Sequence, residues 1–259
     1  MTRAANALLI LVLVASACGG GGDTAEPPTS ALTPTTLAEA FPDPAGFDIL
    51  ILGFSQAWGL GDALKPGIES ELGVAVNIHD RSVGSQTGEQ LRQSLQSNEQ
   101  LQVLVREAEM VTINIAGTAG GFCMGQPEEP EAYGSTSPTE FEEDYGAMLD
   151  ALLEVTDPDA ALLRVFTVYY ADTWGYWERD GVTDVCQAAL AETNDSIRRA
   201  AEERGITVLD LGAAFHGPDY NRDLLATGYL GSDNEHTSPA GIQVLVDLLM
   251  QAGFDLSET

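Results

Sequence analysis

Hydrophobic residues in this chain gather into five short, nearly continuous runs: Phe47–Gly53, Val74–Ile78, Val111–Ile115, Ala161–Tyr169 and Ile206–Asp210. Runs that are apolar at both odd and even positions suit strands buried on both faces, as in parallel sheets. Between them the spacing changes to that of helices. Phe141, Tyr145, Met148, Leu149, Leu152 and Leu153 recur at helical spacing, and Ala189, Ile197, Ala200 and Ala201 do so more weakly. A final helix carries its own boundary signals. Ser238 is a candidate cap, Pro239 sits in the first turn, Ile242, Leu245, Val246 and Leu249 share one face, and Gly253 marks the stop. Strands alternating with helices predict an α/β domain with a parallel sheet covered on both faces. In such a sheet an active site is expected at the carboxyl ends of the strands.

Upstream of Phe47 the pattern is different. Arg3 supplies a positive charge, Ala4 to Val14 an apolar stretch too short to span a bilayer comfortably, and Ala15-Ser16-Ala17 leads into Cys18. Two readings of this segment stand: a secretory signal cut after Ala17, or a lipoprotein signal with lipid attached to Cys18. Either predicts export, and membrane attachment only through that lipid. The following stretch holds Gly19 to Gly22 and Pro27-Pro28 without apolar periodicity, as a flexible tether would. The expected division is a signal peptide over 1–17, a tether over 18–46 and one folded domain over 47–259.

Composition narrows the picture in two ways. The chain is 44% hydrophobic, enough for a substantial core, and has a formal charge of −29 with Lys65 its one lysine. Such a surface repels polyanions, which excludes nucleic acid as a partner and anionic lipid as a docking surface. Its three cysteines are Cys18, Cys123 and Cys186. Lipidation of Cys18 would leave Cys123 and Cys186 to form a disulfide, which an oxidising exterior permits, with two buried thiols as the alternative. Nothing in the sequence calls for a partner subunit, and a monomer is expected.

The candidate chemistry lies at the ends of the runs. Ser55 directly follows the first strand, where free amides at a helix start favour developing negative charge. A serine there is most often a cap. His236, preceded three residues earlier by Asp233, makes a second role arguable, because a carboxylate can fix one ring nitrogen while the other faces a serine. His79 and His216 lack such a setting and read as structural or surface residues. Gly84, after the second strand, can bring its N–H close to a substrate, and Gly117-Thr118 follows the third. Both also fit ordinary turns. Trp58 and Trp174 are candidates to line a cleft, the latter within an aromatic stretch from Tyr169 to Trp177 that could equally be a local apolar cluster. No spacing suggests a metal site, and neither metal nor cofactor is expected.

Taken together, Gly53-Phe54-Ser55 with Gly59, then Gly84, then Ala116-Gly117-Thr118-Ala119, and finally Asp233-Asn234-Glu235-His236, resemble the blocks of the SGNH (GDSL-type) hydrolases, a group of esterases and lipases. The resemblance spans about residues 47–255, and Asn194 to Arg198 and the two later cysteines also look like the family. It implies a three-layer α/β/α sandwich around a five-stranded parallel, flavodoxin-like sheet. It further implies an ester-cleaving enzyme with Ser55 as nucleophile, His236 as base, Asp233 as its orienter, and an oxyanion hole from Ser55, Gly84 and Thr118. The substrate would be a small or polymer-borne ester. Two positions depart from the pattern: Phe54 stands where the family has aspartate, and Thr118 where it has an asparagine donor. These departures also admit a non-catalytic glycan- or lipid-binding protein on the same fold. Acyl transfer to a sugar is a further alternative.

Overall fold

The computed structural model describes residues 46–115, 123, 138–157, 160–170, 178 and 181–254. Five strands form one parallel sheet: β1 (Phe47–Gly53), β2 (Val76–Asp80), β3 (Met110–Asn114), β4 (Leu162–Phe166) and β5 (Thr207–Leu209), in the spatial order β2-β1-β3-β4-β5. This is the flavodoxin-like order, whose strand sequence reverses between β1 and β3. All seven residues of β1 are buried, as are all five of β3 and of β4. That accounts for the continuous apolar runs. The runs at 74–78 and 161–169 overshoot the ladders: pairing to β1 begins at Val76, and β4 stops at Phe166, where the chain turns toward the site.

Helices cover both faces. The described helices are α1 (Leu60–Leu72), α2 (Gly88–Ser97), α3 (Glu99–Glu107), α4 (Pro138–Leu153), α5 (Thr183–Glu202), α6 (Leu211–His216) and α7 (Pro239–Ala252). Leu91, Leu104, Tyr145, Met148, Leu149 and Ile197 from α2 to α5 pack on Leu50, Leu52, Val111 and Ile113 of one face. Leu64 and Ile68 of α1, Phe215 of α6 and Leu245 and Leu249 of α7 pack on Ile49, Ile51, Met110 and Leu162 of the other. The three-layer α/β/α sandwich expected from the sequence is therefore present. Alternation along β1 sends Ile49 and Ile51 to one helical layer and Leu50 and Leu52 to the other.

The α7 boundaries follow the sequence signals closely. The Ser238 hydroxyl accepts the N–H of Gly241, Pro239 opens the helix, and Gly253 closes it. The pair α2 and α3 was not anticipated, because their faces are short and polar-rich. Their caps were visible nonetheless. Thr87 and Gln90 form a reciprocal capping box, and Asn98 accepts from Gln100 and Leu101 at the start of α3. Cys123 and Cys186 are joined as a disulfide, which ties Cys123 to α5. The expected signal peptide, lipidated Cys18 and tether lie outside the described residues, as do Thr118 and Trp174.

Candidate active site

The nucleophile candidate owes its position to a close approach of two backbones. Gly53 ends β1 opposite Asn114, and a Cβ on Gly53 would lie 2.3 Å from the Asn114 carbonyl oxygen. With no side chain there, β1 and β3 stay paired to the last residue, and the next amide, that of Phe54, donates to the same carbonyl at 2.9 Å. Phe54 then packs into the core layer of α2–α5. Where the family pattern has a carboxylate, this chain has an apolar anchor. Ser55 opens a single 3₁₀ turn, Ser55–Ala57, rather than a long helix. Gly59, at φ 84°, reverses the chain into α1. Ser55 therefore sits half-buried at the carboxyl edge of the sheet, one turn ahead of α1.

His236 arrives from a turn that is largely self-contained. An antiparallel bridge pairs Leu230 with Thr237, and the Gly231 N–H donates to the His236 carbonyl at 2.8 Å. Asn234 takes the left-handed conformation at φ 58°, which asparagine tolerates better than most residues. One Asp233 oxygen accepts the backbone N–H groups of Glu235 and His236, each at 3.0 Å. The other lies 2.8 Å from His236 Nδ1. These donors, the Glu235 amide first and then the imidazole, hold the Asp233 carboxyl down to about 2. Asp233 is thus an anion throughout the neutral range. It fixes Nδ1 as the ring's donor, which leaves Nε2 as the nitrogen able to take a proton.

The two turns meet. The Thr237 hydroxyl donates to the Gln56 carbonyl at 3.3 Å, across 181 residues of sequence. Trp58 stacks on the His236 ring with centroids 5.2 Å apart and planes 7° from parallel. A third element braces both. Tyr169, buried just past β4, accepts the Gln56 side-chain amide on its carbonyl at 2.9 Å, while its phenol donates to the Glu235 carbonyl at 3.0 Å. Burial and the nearby Asp233 and Glu235 charges push that phenol far above its ordinary range, so it remains a donor. Tyr169 is itself held in place. Its ring stacks on Phe215 at 4.5 Å, and Asn194 of α5 clamps the neighbouring Val168 by both its N–H and its carbonyl, each at 2.8 Å. Sequence reasoning listed Tyr169 only with an aromatic stretch and missed Gln56 and Thr237 altogether. Nothing about their spacing signals bonds that run between strand ends.

Gly84 lies on the loop between β2 and α2, at the same edge. That loop continues the β1 pairing past the strand: Arg81 N–H donates to the Ile51 carbonyl and Val83 N–H to that of Gly53, both at 2.8 Å. Gly84 is exposed, with the benzo edge of Trp58 beside it. Ser55, Gly84, Trp58, Asp233 and His236 are thus brought to one region. His216 is a structural residue, buried and accepting the Tyr170 N–H on Nε2 at 3.3 Å. His79 sits on β2 beside Arg81, and its partial burial, followed by the Arg81 charge, lowers its pKa.

No family model matches the chain, and no curated protein does. Solved structures do match. A lipase/acylhydrolase from Enterococcus faecalis superposes with a TM-score of 0.56 at 18% identity, over 80% of this chain and 95% of its own. The lipase Lip_vut3 from a goat rumen metagenome gives 0.60 at 18%, over 80% and 98%. A tryptophan-substituted form of Axe2, an acetyl xylan esterase from Geobacillus stearothermophilus, gives 0.60 at 15%, over 82% and 98%. The fold is that of the SGNH hydrolases. On the SGNH fold of Axe2, variants at a serine, an aspartate and a histidine three residues after it are described as catalytic mutants.

Proposed function

We propose that this SGNH-fold domain is a serine esterase with Ser55 as nucleophile. The observation that carries the reading is a histidine whose Nδ1 is fixed at 2.8 Å by an ionised Asp233, on a turn bonded through Thr237 to the Gln56 carbonyl beside Ser55. The comparisons add weight. The neighbours named above are lipases and esterases, and the serine, aspartate and histidine described as catalytic in Axe2 have counterparts here with the same Asp-to-His spacing.

In this mechanism His236 Nε2 removes the Ser55 proton as Oγ attacks the ester carbonyl. The resulting imidazolium is stabilised by Asp233. The oxyanion is held by the amides of Ser55 and Gly84, with the Thr118 hydroxyl as a third donor. Collapse expels the alcohol, which takes the proton from His236, and leaves an acyl-enzyme. Water, deprotonated by His236, attacks that ester and releases the acid. The Ser55 hydroxyl makes no hydrogen bond among the described residues in the free protein, and such contacts commonly tighten only when substrate arrives. The substrate would be a small or polymer-borne carboxylic ester, reached at the cell surface through a lipid on Cys18 or as a secreted protein.

The deciding experiment is labelling with a fluorophosphonate probe, read by peptide mapping, in wild type, Ser55→Ala and His236→Ala. The expected result is a single adduct on Ser55 that is absent from both variants. Folded wild type that takes no label, yet binds a glycan or lipid as tightly as Ser55→Ala, would overturn catalysis in favour of a binding role.

A further inference from the structure

Trp58 is the feature of this region that neither the triad nor the fold requires. It lies between the 3₁₀ turn and α1, is 49% exposed and belongs to neither core layer. Its indole instead touches two groups of the site. One face lies parallel to the His236 ring at a centroid distance of 5.2 Å. The benzo edge lies over Gly84, where an added Cβ would be 3.4 Å from Cζ2 and 3.7 Å from Cη2. The ring thus spans from the imidazole to the glycine whose amide the esterase reading assigns to the oxyanion.

Resting on the esterase reading above, we infer that Trp58 is a positioning residue that fixes the plane of the His236 ring and limits the size of the alcohol half of the ester. Two physical arguments carry this. First, Asp233 holds the imidazole at one edge, which leaves the ring free to swing about that contact, and a parallel aromatic face removes the swing. The imidazolium formed during acylation also gains from the indole π face, by an amount that corresponds to roughly a 2- to 5-fold rate effect at an exposed site. Second, the departing alcohol oxygen must face His236 while the oxyanion faces the Gly84 amide. A wall that joins those two residues borders the alcohol and leaves the acyl chain to the opposite side.

The test uses one acid with two alcohols, methyl acetate and benzyl acetate, on wild type, Trp58→Ala, Trp58→Phe and Ser55→Ala, with circular dichroism to confirm folding. Trp58→Ala is expected to lower kcat on methyl acetate by about 5-fold with little change in KM, as a lost positioning contact should. It should also raise the benzyl-to-methyl ratio of kcat/KM by about 10-fold, the scale of opening a pocket by a small group. Trp58→Phe, which keeps a flat face, should restore part of both. A readout independent of turnover comes from fluorescence: the Trp58 emission, taken as wild type minus Trp58→Phe, should change in intensity or wavelength in His236→Ala, because the ring stacked on the indole face is gone. A folded Trp58→Ala with wild-type kcat and alcohol preference, in an enzyme that Ser55→Ala inactivates, overturns this proposal alone. A difference emission that is the same in His236→Ala also overturns it. Turnover that survives Ser55→Ala overturns the esterase reading and this proposal with it.

Discussion

The turn that presents His236 and the turn that presents Ser55 are built on opposite plans. The Asp233–His236 turn closes on itself. Its backbone hydrogen bonds run from Tyr229 to Ser238, it is pinned at one end by the α7 cap, and the carboxylate that orients the imidazole also accepts the turn's own amides, while from outside it takes side-chain contacts from the Tyr169 phenol and the Trp58 ring. The Ser55 turn is held from outside. Its anchors are the Asn114 carbonyl, the Tyr169 carbonyl and the Thr237 hydroxyl, which come from three distant parts of the chain. A self-closed turn keeps its geometry when its surroundings loosen, whereas an externally held turn reports every disturbance of the sheet edge. The proposed base should therefore be robust and the proposed nucleophile sensitive.

Substitutions can break or sharpen that contrast. The largest effects fall on the chemistry itself: Ser55→Ala and His236→Ala should each lower kcat/KM by at least about 1000-fold, measured on a chromogenic acetate ester, with unchanged thermal stability. Asp233→Asn should cost about 100-fold or more in kcat, since the imidazole loses its tautomer, and should loosen the turn only slightly because the amide oxygen still accepts from Glu235 and His236. The pH dependence checks the carboxylate directly. Asp233 has a folded-state pKa depressed to about 2, so its stabilising contribution is complete above the ordinary carboxylate range and is lost only as pH falls through about 2. A series of thermal melts carried into acid should show wild type losing that contribution and Asp233→Asn not, and parallel curves would contradict this.

Stability changes follow. Removing the disulfide with Cys186→Ser frees a loop whose ends are 63 residues apart, worth at most about 4 kcal/mol by chain entropy, and should lower Tm against wild type in non-reducing buffer, with the difference closing when both are reduced. The smallest effect is the most diagnostic. Tyr169→Phe removes one hydrogen bond to the Glu235 carbonyl and should cost about 1 kcal/mol of stability. If the base turn is self-closed, kcat should fall no more than about 3-fold. Gln56→Ala, which cuts an outside anchor of the nucleophile turn, should lower kcat further than Tyr169→Phe, and the reverse ranking would refute the contrast.

The same contrast explains what could be read from the sequence. The Asp233 and His236 pairing, the Ser238 cap and the Gly253 stop are contacts between residues within a few positions of one another, so residue types and spacing carry them. The strands were legible because burial on both faces leaves an apolar run, though their ends were not, since a ladder stops where its partner stops. The paired helices α2 and α3 escaped because their apolar faces are narrow, despite the Thr87 capping box. The Tyr169 brace, the Gln56 contacts and the stacking of Trp58 on His236 are products of topology. Two strand ends become neighbours only after the sheet has formed, and no local pattern announces it. Phe54 was read as a lost carboxylate, whereas in the structure it is a partly buried apolar anchor packed against the core.

The bond between Thr237 and Gln56, residues 181 positions apart in the chain, has a consequence for how this protein is born. A growing polypeptide emits its serine early and its histidine late. On the proposed mechanism, every nascent or truncated chain that stops short of residue 236 carries a hydroxyl with no base. Reactivity would in this way mark completed synthesis, reached only once nearly the whole domain has emerged.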